Sequence, residues 1–370
     1  MPNNADFDLC RDDPALADAS RTLDPWRQPL RTADADAARV EVWSEPLWKL
    51  VVDLGGPRWS LPADFDGSPL GRVELLAHYL MLTRSSLTAA FVLSQHDAAV
   101  RRLLPAASRP VARAWLEAIA RGRAFATVGI SQLTTSRRHG TCSLRAVAVE
   151  GGFQLAGVMP WVTAAGRAEV IVAGAVCDDG RQILAAVPTD RAGLTVPPAF
   201  ELAALTASST CEVVCEQVFV SNQDLLAGPA VDVLAAIPGA TGTGGLETSA
   251  LALGQALSAL EALAEAAQTR VELAEPLAAL AADWCRAWHD LAASARDEPD
   301  APPSSAVRAA ANSLALRATQ AYLTARKGSG FLRTDPAQQW ARQALFFLVW
   351  SCPGPVAHAA IRDLAGICST

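Results

Sequence analysis

The apolar residues of this 370-residue chain change period twice, and that change limits the folds open to it. In "VELLAHYLMLTRSSLTAAFVL" (73–93) and "PVARAWLEAIARG" (110–122) they recur every three or four residues, which predicts amphipathic helices. From about 124 to 228 the period falls to two, in "TCSLRAVAVE", "GGFQLAGVM", "AEVIVAGAV", "RQILAAVPT" and "CEVVCEQVFV". Turn signals at Glu150-Gly151-Gly152 and Asp178-Asp179-Gly180 separate these runs. The helical period returns over 246–273, 277–295, 306–327 and 336–350, with "RDEPDAPPSS" (296–305) as a surface loop. The expected fold is α+β. It has an N-terminal helical domain (1–122), a middle antiparallel β-domain of barrel type (123–230) and a C-terminal helical domain (231–370).

A net charge of −7 without any Lys/Arg cluster leaves no electrostatic footprint for nucleic acid. Although 51% of the residues are hydrophobic, no unbroken apolar run approaches the ~20 residues needed to span a bilayer. The opening "MPNNADFDLCRDDPALADAS" has neither a basic nor an apolar leader region, so a cytoplasmic protein without a secretory signal is expected. Eight cysteines (10, 142, 177, 211, 215, 285, 352 and 368) form no CxxC pair and have no His at zinc-ligand spacing. They read as reduced thiols, and no metal site is expected.

"PWVTAAGRAEVIVAG" (160–174) poses a sharper question, because Trp161 and Thr163 stand at the mouth of an apolar strand. A rigid aromatic plane with a hydroxyl beside it suits a planar heteroaromatic ligand. The alternative is a tryptophan capping a barrel end, next to an ordinary turn threonine.

Several stretches, spread over nearly the whole chain, resemble the acyl-CoA dehydrogenase superfamily of flavoproteins. "LWKLVVDLGGPRWSLPADFDG" resembles the family's early helix and its Pro-x-x-(aromatic)-Gly-Gly turn, with Asp66 in place of one glycine. "GGFQLAGVMPWVTAAGRAEVIVAGA" is similar to its strand, Trp-Ile-Thr-Asn turn and following strand. "ALTASSTCEVVCEQVFVSNQDLLAG" resembles the strand pair that closes the middle domain. "RVELAEPL" resembles a worn Arg-x-x-Phe-Gly-x-Pro segment, and "KGSGFLRTDPAQQWARQA" the Gly-rich loop and the helix after it.

The resemblance implies FAD as cofactor, with Trp161 covering one face of the flavin ring and Thr163 hydrogen-bonding its edge. It further implies that "FATVGISQLTTS" (125–136) holds the ring's pyrimidine side and the substrate. There Val128 replaces a threonine, Thr134 takes a serine's place and Thr135 an aspartate's. Thr206, Ser208 and Thr210 are what is left of an Arg-x-Ser-x-Thr pattern near the adenine side. Arg270 is implied to reach the flavin pyrophosphate of a neighbouring subunit, in a homodimer or homotetramer. "GATGTGG" (239–245) lacks the strand-and-helix context of a dinucleotide loop.

The reaction implied is α,β-oxidation of an acyl thioester, on CoA or a carrier protein, with electrons passing to an electron-transfer partner or oxygen. It needs a carboxylate to remove the α-proton while the flavin takes the hydride. Alignment through Arg342 puts Trp350 in the place of the family's tyrosine and Ser351 in that of its catalytic glutamate, and an alcohol cannot do that task unaided. A minority of the family supplies the base from the first C-terminal helix. Glu247 opens such a helix, about one turn from the minority position and on the same face. Its plainer reading is a first-turn acid favouring the helix dipole. Thr134 and His96 are implied near the substrate, His96 having a packing or capping role as its alternative. Cys352 and His358 read as a buried thiol and a surface imidazole rather than a nucleophile and its base. Trp284, Trp288 and Trp340 read as core or subunit interface. Relatives of this fold also include flavin monooxygenases, which need no such glutamate, and a catalytically degenerate flavin-binding protein is the third reading.

Overall fold

The computed structural model describes residues 13–134, 143–237, 245–350 and 352–367. Helices come first: α1 (Pro14–Leu23), α2 (Arg27–Val40), α3 (Glu45–Asp53), α4 (Arg72–Thr83), α5 (Leu87–Leu103) and α6 (Pro110–Ala120). The apolar stretch 73–93 is two helices, not one. Ser86 makes the break: its backbone is extended and its hydroxyl accepts from the Ala89 N–H at 3.0 Å, which caps α5.

Strands follow: β1 (Ala126–Gly129), β2 (Leu144–Val149), β3 (Gly152–Val162), β4 (Val170–Cys177), β5 (Gln182–Pro188), β6 (Leu194–Thr195), β7 (Cys211–Ser221) and β8 (Leu225–Ala230). They form one sheet in the order β6-β7-β3-β2-β4-β5-β8, antiparallel except where β4 takes both β1 and β2 as parallel partners. Alternation sorts the side chains between two cores. In β4, Ile171, Ala173 and Ala175 face an inner core with Met159, Val187 and Val213. Val170 and Val172 face an outer core shared with Val100 and Leu103 of α5 and Leu116 of α6. Gly157, at φ +124°, lets β3 pass close to the next strand, since a Cβ there would lie 2.1 Å from the Ser143 carbonyl oxygen.

The remaining helices are α7 (Leu246–Ala267), α8 (Ala274–Ala295), α9 (Ser304–Arg326), α10 (Pro336–Ala344) and α11 (Gly354–Leu364). α7 stops short of the expected 273 because Arg270 leaves the helical region (φ −131°, ψ 88°) and a 3-10 turn, Val271–Leu273, intervenes. The expected helix 336–350 likewise gives way to a 3-10 turn at Leu345–Leu348.

Helices from the two ends of the chain share one apolar core, in which Leu16, Leu30, Leu80 and Leu87 join Leu253, Leu260, Trp288 and Leu314. Gly254 makes the close crossing of α4 and α7 possible: a Cβ there would stand 2.3 Å from the Leu80 carbonyl oxygen. Among the described residues α7 is the one helix long and apolar enough to cross a membrane, and 67% of its most apolar window is buried within the protein. Trp284 belongs to the same core, with Trp340 packed at its margin. Cys177, Cys211, Cys215 and Cys352 are free thiols, but Cys285 is disulfide-bonded, which corrects the reading of every cysteine as reduced. Sequence spacing does not reveal which cysteines a fold brings within bridging distance.

Candidate functional site

Trp161 stands near the end of β3, and Thr163 follows the strand. Ala164 then takes a left-handed φ of 54° and donates its N–H to the Ser208 carbonyl at 3.0 Å, which ties this turn to the one at 205–209. The tie brings hydroxyls together. Thr210 Oγ1 donates to Thr163 Oγ1 (3.2 Å), Ser208 Oγ bonds Thr210 Oγ1 (2.8 Å), and Thr127 Oγ1 donates to the Thr163 carbonyl (2.8 Å). Thr127, Thr163, Ser208 and Thr210 are all buried. Because the Thr163 hydroxyl accepts from Thr210, its own proton is available to another acceptor. Trp161 is 54% exposed, with its ring edge-on to Phe200 at 5.1 Å.

Val128 points elsewhere. Its side chain lies in the outer core with Val100 and Leu103, whereas Thr127, one residue earlier, faces Thr163. A single residue step reverses the face of a strand, and the reading of the sequence passed over Thr127. Thr134 is half-buried and donates to the Ser131 carbonyl (3.1 Å). Thr135 and most of the 239–245 stretch lie outside the described residues. Arg270 is engaged within its own chain, donating to Glu272 (3.1 Å) and to the Ala325 carbonyl (2.6 Å).

A cleft of about 370 Å³, open to solvent, borders the 205–209 turn and is lined in part by Thr88, Thr206, Ala207, Gln339 and Arg342. A smaller one of about 220 Å³ shares Thr88 and Ala207 and reaches Trp43 and Trp48.

Glu247 belongs to a different cluster. It opens α7 with its side chain 20% exposed, and its carboxylate lies 3.4 Å from Arg101 of α5. Close by on α5, fully buried Asp97 accepts from the Tyr79 hydroxyl (2.5 Å). Burial pushes the Asp97 carboxyl up to about 6, against the opposing pull of Arg101 and Tyr79. Burial alone would lower Arg101, but Glu247, Tyr79 and Asp97 outweigh it and keep the guanidinium charged. The only sequence signal for this cluster was the i, i+4 spacing of Asp97 and Arg101.

His96, expected near the substrate, is a core residue. It is 1% exposed, with Nδ1 3.1 Å from the Ala126 carbonyl oxygen and its ring 5.0 Å from that of Phe125. Burial pushes its pKa down to about 4, so it is neutral. Trp350 stacks on Phe346 at 4.8 Å and meets Phe91 edge-on at 4.9 Å. Ser351, beside it, lies outside the described residues. Burial raises the Cys352 thiol, and His358 is exposed, as suits packing and surface residues.

No protein-family model matches the chain. A Bacillus subtilis protein, "Probable acyl-CoA dehydrogenase YngJ", is 25% identical over 248 residues, a match spanning 62% of this chain and 65% of that protein. Glutaryl-CoA dehydrogenase from Mycobacterium smegmatis superposes with a TM-score of 0.82 over 98% of this chain and 99% of its own, at 18% identity. The fold is that of the acyl-CoA dehydrogenases. The resemblance read from the motifs is thus borne out at the level of architecture. Within the acyl-CoA dehydrogenase fold ligands vary. KijD3, solved with FMN and dTDP-3-amino-2,3,6-trideoxy-4-keto-3-methyl-D-glucose, superposes with a TM-score of 0.72 at 18% identity, over 97% of this chain and 95% of its own.

Proposed function

We propose that this chain is a flavin-dependent oxidoreductase that oxidises the Cα–Cβ bond of an acyl thioester carried by CoA or a carrier protein. The observation that supports it most is the pairing, within this fold, of an exposed aromatic plane at Trp161 with a buried hydroxyl at Thr163 whose proton is free. FAD fits that donor set. Thr163 has a hydrogen bond to give a ring-edge acceptor, Ser208 and Thr210 hold it in place, and Trp161 offers an apolar face. The fit is weaker at Val128, whose side chain turns to the outer core. Bound flavin supplies the two-electron acceptor.

In this reading Glu247, paired with Arg101 at 3.4 Å, takes the substrate's α-proton. Electrons leave to an electron-transfer partner or to oxygen. Assembly into a homodimer or homotetramer belongs to the same reading, because Val271 and Phe331 are 83% and 81% exposed in the two segments that Arg270 joins. Protein purified with excess FAD should carry flavin absorbance, and an acyl thioester should bleach it without oxygen. Absence of bound flavin would remove the reading.

The Arg101 pair also favours a second reading, since it engages the Glu247 carboxylate in an ion pair within the chain. A flavin monooxygenase needs no such base. It would consume oxygen with an external reductant and resist anaerobic bleaching by thioesters. Bound flavin with neither activity would mark a catalytically degenerate homologue.

A further inference from the structure

We propose that this chain recognises flavin by its ring half alone, so that the mononucleotide FMN binds as tightly as the dinucleotide FAD. The inference rests on the reading that Thr163 meets the ring edge, and it concerns the three residues that the resemblance puts at the adenine side. Thr206 and Ser208 lie in the 3-10 turn Thr206–Ser208, and Thr210 stands just before β7. An adenylate half brings a pyrophosphate whose oxygens accept hydrogen bonds and give none. Each of these three hydroxyls has one proton to offer it.

All three protons are spent within the chain. Thr210 Oγ1 donates to Thr163 Oγ1 (3.2 Å), which commits its proton. The 2.8 Å bond between Ser208 Oγ and Thr210 Oγ1 therefore takes its proton from Ser208. Thr206 Oγ1 gives its own to the Leu202 carbonyl (3.1 Å). Ser208 and Thr210 are also buried. Arg270, the cation implied for a neighbouring subunit's pyrophosphate, has its charge offset by Glu272 (3.1 Å) and its Nη1 tied to the Ala325 carbonyl (2.6 Å).

The worn adenine-side pattern is thus a relay with one direction, from Ser208 to Thr210 to Thr163. In such a chain each hydrogen bond polarises and strengthens the next. Its free end is the Thr163 proton, at the ring edge. Ser208 and Thr210 act on the flavin through Thr163, so they are positioning residues for the ring and leave the adenylate half without their hydroxyls.

Equilibrium dialysis of flavin-free protein against FMN and against FAD tests this. The two affinities should agree within about 3-fold, less than the worth of one hydrogen bond. FAD bound more than about 10-fold tighter than FMN would overturn the inference and leave the flavin reading intact. Binding of neither flavin would remove that reading, and the inference with it. Ser208→Ala separates a relay from an adenine contact, because it keeps the backbone bond from the Ala164 N–H to the carbonyl of residue 208. It should weaken FMN and FAD by the same factor, about 3-fold. A loss confined to FAD, or no loss for either flavin, would overturn the inference. Arg270→Ala, measured at the same protein concentration, should leave the ratio of the two affinities unchanged. A fall in FAD affinity alone would give the pyrophosphate a partner in Arg270 and overturn the inference.

Discussion

Thr210 gives its hydroxyl proton to Thr163 across 3.2 Å, and that direction leaves Thr163 with a proton to give in turn. If this hydroxyl meets the flavin edge, Thr163→Val should weaken FAD binding by roughly 10-fold, the worth of one hydrogen bond of ~1.4 kcal/mol. Thr210→Val should weaken it less, because it loosens the donor without deleting it. Fluorescence titration of flavin-free protein with FAD measures both. Equal affinities in parent and Thr163→Val would place the ring elsewhere.

Removing the carboxylate of Glu247 tests the base. General-base catalysis contributes ~10²–10⁴-fold, so Glu247→Gln should slow anaerobic flavin reduction by at least roughly 10²-fold while FAD stays bound. Ser351→Glu in that background should restore part of the rate, by returning a carboxylate to the family's usual position. Stopped-flow absorbance reads both, and a variant as fast as the parent would bring the monooxygenase reading forward.

Burial sets a pH dependence at His96. The imidazole titrates near 6.5 when unfolded and near 4 in the fold, so between those values the unfolded state binds more protons. Its contribution to stability is therefore complete above about pH 6.5 and is lost as pH falls towards 4. Asp97 runs the other way, its penalty growing as pH rises from about 4 to 6. His96→Phe, keeping an aromatic ring beside Phe125 and Trp48, should shrink the drop in Tm between about pH 7 and pH 5. An unchanged slope would show that His96 is not buried and neutral.

Even a methyl group is too much at Gly254. With its Cβ set 2.3 Å from the Leu80 carbonyl oxygen, Gly254→Ala must push α4 and α7 apart, at a cost of about 1–3 kcal/mol. Urea denaturation gives the value directly. A neutral result would show that the crossing has slack.

Phe331 offers a handle on assembly. It is 81% exposed, near the segment that Arg270 touches, and Phe331→Asp should convert a dimer or tetramer to smaller species. Light scattering at micromolar concentration decides it, and a parent that is already monomeric would contradict the expected oligomer.

Order and type of most elements were legible in the sequence, because each rests on local signals: the step between apolar residues and glycines at turns, although the break at Ser86 within 73–93 was not read. So was the pairing of Trp161 with Thr163, since they are two residues apart on one strand end. What only the tertiary structure decided are relations between distant segments. Chain-end helices merge into one core through Leu80 and Leu260, β1 and β2 run parallel to β4, and Thr127 rather than Val128 turns to Thr163. Arg101 likewise finds Glu247 from another helix far along the chain. Periodicity shows that a residue has a face, but the partner that face meets depends on how elements stack, and stacking leaves no local pattern to read.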